Sequence, residues 1–236
     1  YLQYILYVTR QGQSKRGEAC RVWSTQRKRP FGHRCKMHIC KAKLKSVTPY
    51  SQSKNIDPLE VPSKPKEGKD AYELRTWRNR MHVTKAGNVY IPRTVFPNCV
   101  RAAARRLQLQ VPGKGKTQYT KYFEAGIDML EDLELPLKAE DVQPERMFVP
   151  SDGVAGSGKR VYKYFPRIDS WSGEVTFLVL DDIIPEHVFV QVLRSAGMLV
   201  GIGRFRPENR GYYGRFAVES VSWIEDGDAA LAAAAE

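Results

Sequence analysis

The last third of the chain carries an ordered series of secondary-structure signals that restricts the possible folds more than any other segment. Residues 174–180, EVTFLVL, form a mostly apolar run that is typical of a buried strand. The pair Asp181-Asp182 can cap a helix, Pro185 suits its first turn, and Gly197 is placed to end it. After a loop rich in glycine and arginine, a final strand is predicted where Phe216, Val218 and Val221 stand among polar residues. The segment therefore predicts a strand, a helix, a loop and a strand.

Two earlier segments complete a recognisable order. Residues 39–47 are predicted to form a half-buried strand flanked by lysines, and residues 94–108 a helix with Thr94 as its cap and Pro97 in its first turn. Together the elements predict an α+β fold with a ferredoxin-like, RRM-like β-α-β-β-α-β core. Long insertions are expected at about 49–92 and 109–170. Within residues 123–141 the pattern does not decide between helix and strand.

The loop of residues 197–216, GMLVGIGRFRPENRGYYGRF, has the composition expected of a nucleic-acid contact. Arginine can bind phosphate with two hydrogen bonds, an aromatic ring can stack on a base, and glycine lets a backbone approach a ligand closely. An ordinary glycine-rich turn with solvated arginines would have the same composition. The candidate residues of this loop are Gly201, Gly203, Arg204, Arg206, Arg210, Gly211, Tyr212, Tyr213, Gly214 and Arg215.

Further basic stretches could extend the same surface. Residues 71–82 place arginines around a tryptophan, which is expected where a phosphate backbone runs past a stacking ring, although a buried tryptophan between solvated arginines would look alike. The predicted helix at 94–108 has an apolar side and a guanidinium side, and residues 112–121 and 158–160 are glycine-rich and basic. The candidates in these stretches are Arg75, Trp77, Arg78, Arg101, Arg105, Lys114, Lys116, Lys159 and Arg160.

The net charge of +12 is distributed unevenly. Residues 1–36 hold nine Lys/Arg against Glu18, a surplus of +8 that leaves +4 for residues 37–236. Residues 71–121 carry a surplus of +10, whereas residues 122–157 carry a deficit of −7. This separation predicts one basic face that suits a polyanion and one acidic face, or a dipolar surface without a ligand.

The motif SDGVAGSGKR contains Gly153, Gly158 and Lys159 at the spacing of a nucleotide-binding P-loop. A P-loop requires Ser or Thr next and then a helix, but Arg160 follows here and the residues after it alternate as a strand. The motif is therefore interpreted as a glycine-rich hairpin with a basic tip.

Residues 1–36 differ from the rest of the chain because they show no sustained periodicity. The first methionine is Met37, so this basic leader is interpreted as sequence upstream of the native start or as a flexible arm, with residues 226–236 as a short tail. Cys20, His33, Cys35, His38 and Cys40 could in principle hold zinc. Their spacing is not that of a standard zinc knuckle and residues 39–47 already read as a strand, so we expect no zinc and no other cofactor.

The composition also restricts the compartment. No run approaches the eighteen or so apolar residues of a membrane helix, and the opening residues lack the basic region of a signal peptide. Four irregularly spaced cysteines do not make a disulfide framework. We therefore expect a cytoplasmic protein without a membrane partner.

With the helix, G-x-G, an arginine-rich gap and G-Y-Y-G-R-F in place, the loop resembles the glycine-rich loop of the RAMP superfamily of CRISPR-associated RNA-binding proteins. The first strand followed by TPYSQSK resembles the opening of its Cas-seven family, and the likeness covers residues 37–225 in layout. The resemblance implies a non-enzymatic subunit of antiviral ribonucleoproteins that polymerises along guide RNA, with copies of itself and other effector subunits as partners. It also implies that the loop arginines lie near phosphates. The FRPENRGYY spacer is longer than the common form.

Three other functions remain open from the residues. One is a single-stranded DNA-binding protein of a phage or mobile element, which differs in the sugar of its ligand. Another is a RAMP-type endoribonuclease that uses His82 or His187 as general acid or base, although neither has an identifiable partner in the sequence. The third is a structural role in a phage or effector particle. No catalytic residue is assigned.

Overall fold

A computed structural model of the chain describes residues 37–57, 59, 61–151 and 158–227, which belong to one unit spanning Cys35–Glu236. The expectations about the leader, the tail and the zinc candidates Cys20, His33 and Cys35 lie outside the described residues. The strands are β1 (His38–Ser46), β2 (Tyr50–Ser51), β3 (Asn88–Ile91), β4 (Ile127–Met129), β5 (Leu133–Lys138), β6 (Gln143–Pro150), β7 (Arg160–Ile168), β8 (Ser172–Val179) and β9 (Phe216–Ile224). The helices are α1 (Lys69–Thr76), α2 (Val95–Leu107), α3 (Thr120–Gly126) and α4 (Glu186–Ser195), with 3-10 turns at Trp77–Arg80 and Pro207–Asn209.

The main sheet has four strands in the order β4-β8-β1-β9, and every neighbouring pair is antiparallel. Helix α2 connects β1 to β4, and α4 connects β8 to β9. This strand order and connectivity are those of the ferredoxin-like β-α-β-β-α-β fold, so the predicted fold class is confirmed.

Strand β1 lies in the middle of this sheet and alternates as a half-buried strand should. Cys40, Ala42 and Leu44 are buried with the aromatic side chains of α2 and α4, whereas the lysine that follows each of them is exposed. At Ala42 the register pairs Val175 of β8 on one side and Val221 of β9 on the other. The buried face of β1 therefore anchors the sheet to the helices.

Strand β4 is the element that the periodicity of residues 123–141 did not reveal. These residues divide into the end of α3, the three-residue strand β4 and strand β5. A strand of three residues is too short to show an alternating pattern, and here it lies at the edge of the sheet beside β8.

The insertions form two smaller sheets, one of order β2-β7-β6 and one that pairs β3 with β5. Strands β6 and β7 pair antiparallel from Gln143 opposite Arg167 to Pro150 opposite Arg160. The hairpin predicted in place of a P-loop is thus confirmed, because Arg160 begins a strand and not a helix. Its tip, residues 152–157, lies outside the described residues.

The end of α4 differs from the expectation that Gly197 stops the helix. The chain continues as a π-type turn over Ala196–Val200 and leaves the helix at Gly201, where φ is 72°. A Cβ on Gly197 would overlap the carbonyl oxygen of Phe216. Gly197 therefore serves close packing between this turn and β9. Within the described residues, none of the helices has the length and apolar character needed to cross a membrane.

Candidate nucleic-acid interface

The glycine-rich loop, residues 201–215, is held against the short strand β2 and the residues before it. Arg204 donates its backbone N–H to the carbonyl of Ser51 at 2.9 Å, and Gly214 donates to Pro49 at 2.7 Å. Inside the loop, Ile202 donates to the carbonyl of Gly214 at 2.9 Å. The segment TPYSQS after β1 is therefore the platform on which the loop is built.

The glycines of the loop are required by its own packing. Gly203 has φ 73°, and a Cβ there would overlap the ring of Tyr50. A Cβ on Gly211 would overlap the carbonyl oxygen of Phe205. The sequence suggested that these glycines let a ligand approach the backbone; in the structure it is other parts of the chain that approach them.

A groove of about 830 Å³ runs along the loop. The loop residues 203–206 and 208–210 form one side, and Gln52, Ser53, His82 and Pro150 lie among the residues of the other. A second cavity of about 330 Å³ contains Arg105 and shares Gly203, Arg206 and Glu208 with the groove. The two spaces therefore adjoin each other at these shared residues, the smaller one beside α2 and the larger one reaching Pro150 of the β6–β7 hairpin.

Arg204 is held within this groove by aromatic rings. Its guanidinium carbon lies 4.0 Å from the centroid of Phe165 and 4.7 Å from that of Phe205, distances at which a cation and a ring face attract each other. Its Nη1 donates to the hydroxyl of Ser53 at 3.1 Å. The rings and the hydroxyl fix the orientation of the guanidinium.

The charge of Arg204 is only weakly compensated. Burial lowers its pKa, the neighbouring guanidinium of Arg80 lowers it further, and Glu73 acts in the opposite direction. Glu73 is itself paired with Arg80, at 2.7 Å between Oε2 and Nη2. Two half-buried guanidinium groups thus share one carboxylate, an arrangement that favours an anion in the groove.

The other arginines of the loop differ in how free they are. Arg206 forms an ion pair with Glu208 at 2.7 Å, and the Nε of Arg215 donates to the carbonyl of Met198 at 3.2 Å. Arg210 is exposed at the rim of the groove. Arg204 and Arg210 are therefore the loop guanidiniums best placed to meet a phosphate.

The two tyrosines of the loop have different environments. Tyr212 is 61% exposed and offers a ring for stacking. Tyr213 is half-buried and donates its hydroxyl to Glu145 of β6 at 2.6 Å. Burial and this carboxylate raise the pKa of Tyr213 to about 12. Tyr213 thus connects the loop to the hairpin.

The candidates at residues 71–80 do not form the stacking platform that the sequence suggested. Trp77 is 2% exposed and its ring is covered by the guanidinium of Arg78 at 4.5 Å, so the ring belongs to the core and cannot receive a base. Arg75 makes two bonds of 2.8 Å to Glu67. That carboxylate is held by Arg75 and by the backbone of Lys64, which lower the pKa of Glu67 to about 2.

The remaining predicted residues differ in whether they line the cavities beside the glycine-rich loop. Arg101 donates to the carbonyl of Ile127 and to Asn98, a structural role between α2 and β4. Arg105, one turn later on the same helix, lines the smaller cavity. The side chains of Lys114, Lys116, Lys159 and Arg160 are exposed. Of these, only Arg105 lines either cavity.

The two histidines proposed as alternative catalytic groups are separated by the fold. His82 lines the groove, and burial followed by the charge of Lys54 lowers its pKa. His187 is exposed on α4 beside Glu186 and Arg194. Among the described residues, no group of three or more His, Cys, Asp or Glu side chains could hold a metal ion. Of the zinc candidates described, His38 stacks on Trp223 and Cys40 is buried.

Sequence reasoning missed several residues that build the site. Gln52 is buried, donates to the carbonyl of Tyr90 at 2.7 Å, and accepts the backbone N–H of His82 at 2.8 Å. Phe165 packs against Arg204, and Arg80 repels its charge, but both residues are distant in sequence from the loop. The available signal was the segment TPYSQSK, whose Ser53 contacts Arg204.

Comparison with known proteins gives similarities at the level of solved structures. No protein-family model and no curated protein matches the chain. The structure is similar to a chain of the Type III-B Cmr-beta bound to cognate target RNA, with a TM-score of 0.42 and 11% identity over 81% of this chain and 62% of that one. It is also similar to Cmr6 from Pyrococcus furiosus, with a TM-score of 0.42 and 12% identity over 77% of this chain and 98% of that one.

A third similar structure is a CRISPR RNA-guided surveillance complex, with a TM-score of 0.34 and 11% identity over 79% of this chain and 68% of that one. Since the TM-scores lie below 0.5, the fold assignment rests on the strand order of the main sheet.

Proposed function

We propose that the chain is a non-enzymatic RNA-binding subunit of a CRISPR-type ribonucleoprotein, which holds the phosphate backbone of a guide RNA in the groove beside the glycine-rich loop. The observation that carries this proposal is Arg204, a guanidinium that lies over two neighbouring rings and forms no ion pair of its own with a carboxylate among the described residues. A preoriented and weakly compensated guanidinium at the surface of an open groove is suited to a phosphate oxygen.

The length of the groove and its adjoining cavity favours a polymer over a small anion. Arg105, Arg204 and Arg210 line the groove and the cavity that adjoins it, so successive phosphates of one strand could each meet a guanidinium. Contacts to phosphate carry no base information, which is why binding would be largely independent of sequence. The exposed ring of Tyr212 adds a surface on which any base can stack.

The CRISPR context rests on the resemblance of the loop and of the TPYSQSK segment to the RAMP superfamily. In that context the partners are guide RNA, further copies of this chain and other effector subunits. A single-stranded DNA-binding protein would use the same groove, because its phosphates have the same spacing and charge.

The test is a titration of the full chain with labelled single-stranded RNA and DNA of one sequence, at about 50 and 200 mM salt. We expect tighter binding to RNA, and an affinity that falls steeply as salt rises. Arg204→Ala should weaken binding about 10- to 100-fold, in line with loss of a charged hydrogen bond. Arg194→Ala, an exposed arginine on α4, is the matched control and should bind as the original chain does.

Equal loss in the Arg194 and Arg204 variants would show that overall charge and not the groove determines binding, and would contradict the proposal. Equal affinity for RNA and DNA would favour the single-stranded DNA-binding function instead.

An endoribonuclease is the second candidate because His82 lines the same groove as Arg204 and Arg210. Cleavage of the bound RNA that His82→Ala abolishes, while its affinity is retained, would establish that activity and replace the non-enzymatic assignment. We expect no specific cleavage by either form.

A further inference from the structure

We propose that the β6–β7 hairpin carries a second contact surface for single-stranded nucleic acid, formed by Arg146, Phe148, Arg160 and Tyr162. This ladder face extends the groove and rests on the proposed function, since it assigns further residues to the same strand. Neither Phe148 nor Tyr162 was a candidate in the sequence. The bound chemistry would be nucleobases stacked on the rings, with their phosphates beside the arginines.

The first observation is the exposure of the two rings. Phe148 is 52% exposed and Tyr162 is 41% exposed, although aromatic side chains of this size are usually covered in a soluble chain. They face each other across the hairpin as a register pair, with ring centroids 4.9 Å apart. The ring of Phe148 and the guanidinium of Arg146, which lies over Tyr162, form a platform on which a base can stack.

The second observation is the placement of cations on these rings. The guanidinium carbon of Arg146 lies 3.7 Å from the centroid of Tyr162, and that of Arg160 lies 5.9 Å from the centroid of Phe148. Among the described residues, the carboxylate that forms an ion pair with them is Asp70, 3.7 Å from Arg146. Glu67 and Glu73 line a cavity beside Tyr162, but they are paired with Arg75 and Arg80. Two guanidiniums with one exposed carboxylate suit a polyanion better than an apolar protein surface, which would leave those charges without water or a partner.

The third observation is continuity with the groove. Pro150 lines the groove, and in the register of the hairpin it lies opposite Arg160. Phe148 is two residues from Pro150 on the same strand and therefore on the same face of the sheet. On the opposite face of the hairpin, Glu145 accepts the hydroxyl of Tyr213 from the loop, which holds the hairpin beside the loop. A strand leaving the groove past Pro150 would thus meet the ladder face next.

The ladder face is long enough to add to the length of nucleic acid that the chain contacts. From Arg146 to Pro150 the extended strand spans about 13 Å, at about 3.3 Å for each residue. The ladder face would therefore hold nucleotides beyond those in the groove, and a short oligonucleotide could occupy the groove alone.

The test uses the full chain and two RNAs. One has about 8 nucleotides, which is within the usual span of a single stacking groove, and the other has about 24, which is beyond that span. Phe148→Ala and Tyr162→Ala should weaken binding of the longer RNA about 5- to 100-fold each and leave the shorter RNA nearly unaffected. Phe148→Tyr and Tyr162→Phe keep the rings and should bind normally. Leu180→Ala, an exposed apolar residue elsewhere, is the matched control.

The salt dependence separates stacking from charge. The alanine variants of Phe148 and Tyr162 should leave the slope of log affinity against log salt unchanged, whereas Arg146→Gln should reduce it by about 1. Unchanged affinity for the longer RNA in the double alanine variant would overturn the ladder face, even if Arg204→Ala still weakens binding and the proposed function stands. Loss of self-association in the double variant, without loss of RNA affinity, would also overturn it and assign the face to protein contacts. Failure of the original chain to bind either RNA would overturn both proposals.

Discussion

The guanidinium of Arg204 lies over the ring of Phe165, 4.0 Å from its centroid, although the two residues come from different parts of the fold. Phe165 belongs to β7 in the inserted sheet, and Arg204 belongs to the loop between α4 and β9 of the core. The candidate site therefore depends on the insertion as well as on the core, because the insertion orients a side chain of the core loop.

Replacing Phe165 by Leu should weaken RNA binding because Arg204 loses one of its two rings. We expect a reduction of about 3- to 30-fold, which corresponds to a cation–π contact that is partly desolvated. The measurement is fluorescence anisotropy with a labelled single strand. Phe123→Leu is the matched control, since it removes a buried ring that stacks on Phe189 far from Arg204. A similar loss of affinity in both variants would indicate a general effect on folding.

Arg75→Ala should weaken RNA binding far less than Arg204→Ala does. The Arg75 guanidinium is already bound to both oxygens of Glu67, whereas Arg204 forms no ion pair of its own within the part of the chain that the structure describes. The same variant should raise the pKa of Glu67 from about 2 towards the ordinary range of a carboxyl group. Carbon-13 NMR of the Glu67 carboxyl measures this shift directly, and an unchanged titration would show that the two side chains are not paired in solution.

In the unsubstituted chain the lowered pKa of Glu67 makes the contribution of the Glu67–Arg75 pair to stability depend on pH. The unfolded carboxyl takes up its proton near pH 4.5, and the folded one only near pH 2. The contribution of this pair is therefore present above about pH 4.5 and is lost as the pH falls towards 2.

Gly211→Ala should destabilise the fold, because the added Cβ overlaps the backbone carbonyl of Phe205 and no side-chain rotation can relieve that contact. We expect a loss of about 1–3 kcal/mol in the free energy of unfolding, typical of overpacking. Urea denaturation followed by circular dichroism measures it. Gly68→Ala is the matched control, since a Cβ there meets nothing within 4 Å. A neutral Gly211→Ala would contradict the packing described for the loop.

Tyr213→Phe should reduce stability at neutral pH by about 1 kcal/mol, through loss of the hydrogen bond to Glu145. It should also remove one component of the stability loss at alkaline pH. The unfolded tyrosine loses its proton near pH 10 and the folded one near pH 12, so the neutral hydroxyl stabilises the fold below pH 10 and this contribution is lost between the two values. Denaturation of the original chain and of Tyr213→Phe from pH 9 to 12 measures the difference between their free energies of unfolding. A difference that stays constant over this range would mean that Tyr213 is not buried against Glu145.

The order of the core could be predicted because its elements are long. Residues of β1, α2, α4 and β9 repeat with clear periods, and the connections between them leave few topologies. Strand β4 was not predicted because a strand of three residues at a sheet edge is too short to show an alternating pattern. The end of α4 was misplaced because glycine can end a helix or permit close packing, and only the neighbouring Phe216 decides between them at Gly197.

The candidate site was only partly predictable for a similar reason. Residue types identified the loop, but they could not show that Trp77 is buried or that Arg75 is paired with Glu67, since burial and pairing depend on segments far apart in the chain. The same limit hid Phe165 and Phe148, whose roles arise only when the hairpin folds beside the loop.

The packing of Gly203 and Gly211 against Tyr50 and Phe205 has a consequence for how related chains should be recognised. A sequence search based on the spacing of these glycines retrieves chains that share the shape of this loop, whatever they bind. The glycines are required by packing within the chain and not by a ligand. The guanidinium at position 204 is not required by those contacts, and the buried ring at position 165 orients it. Relatives that keep both residues are expected to bind the same ligand. Relatives that lack both are expected to share only the fold.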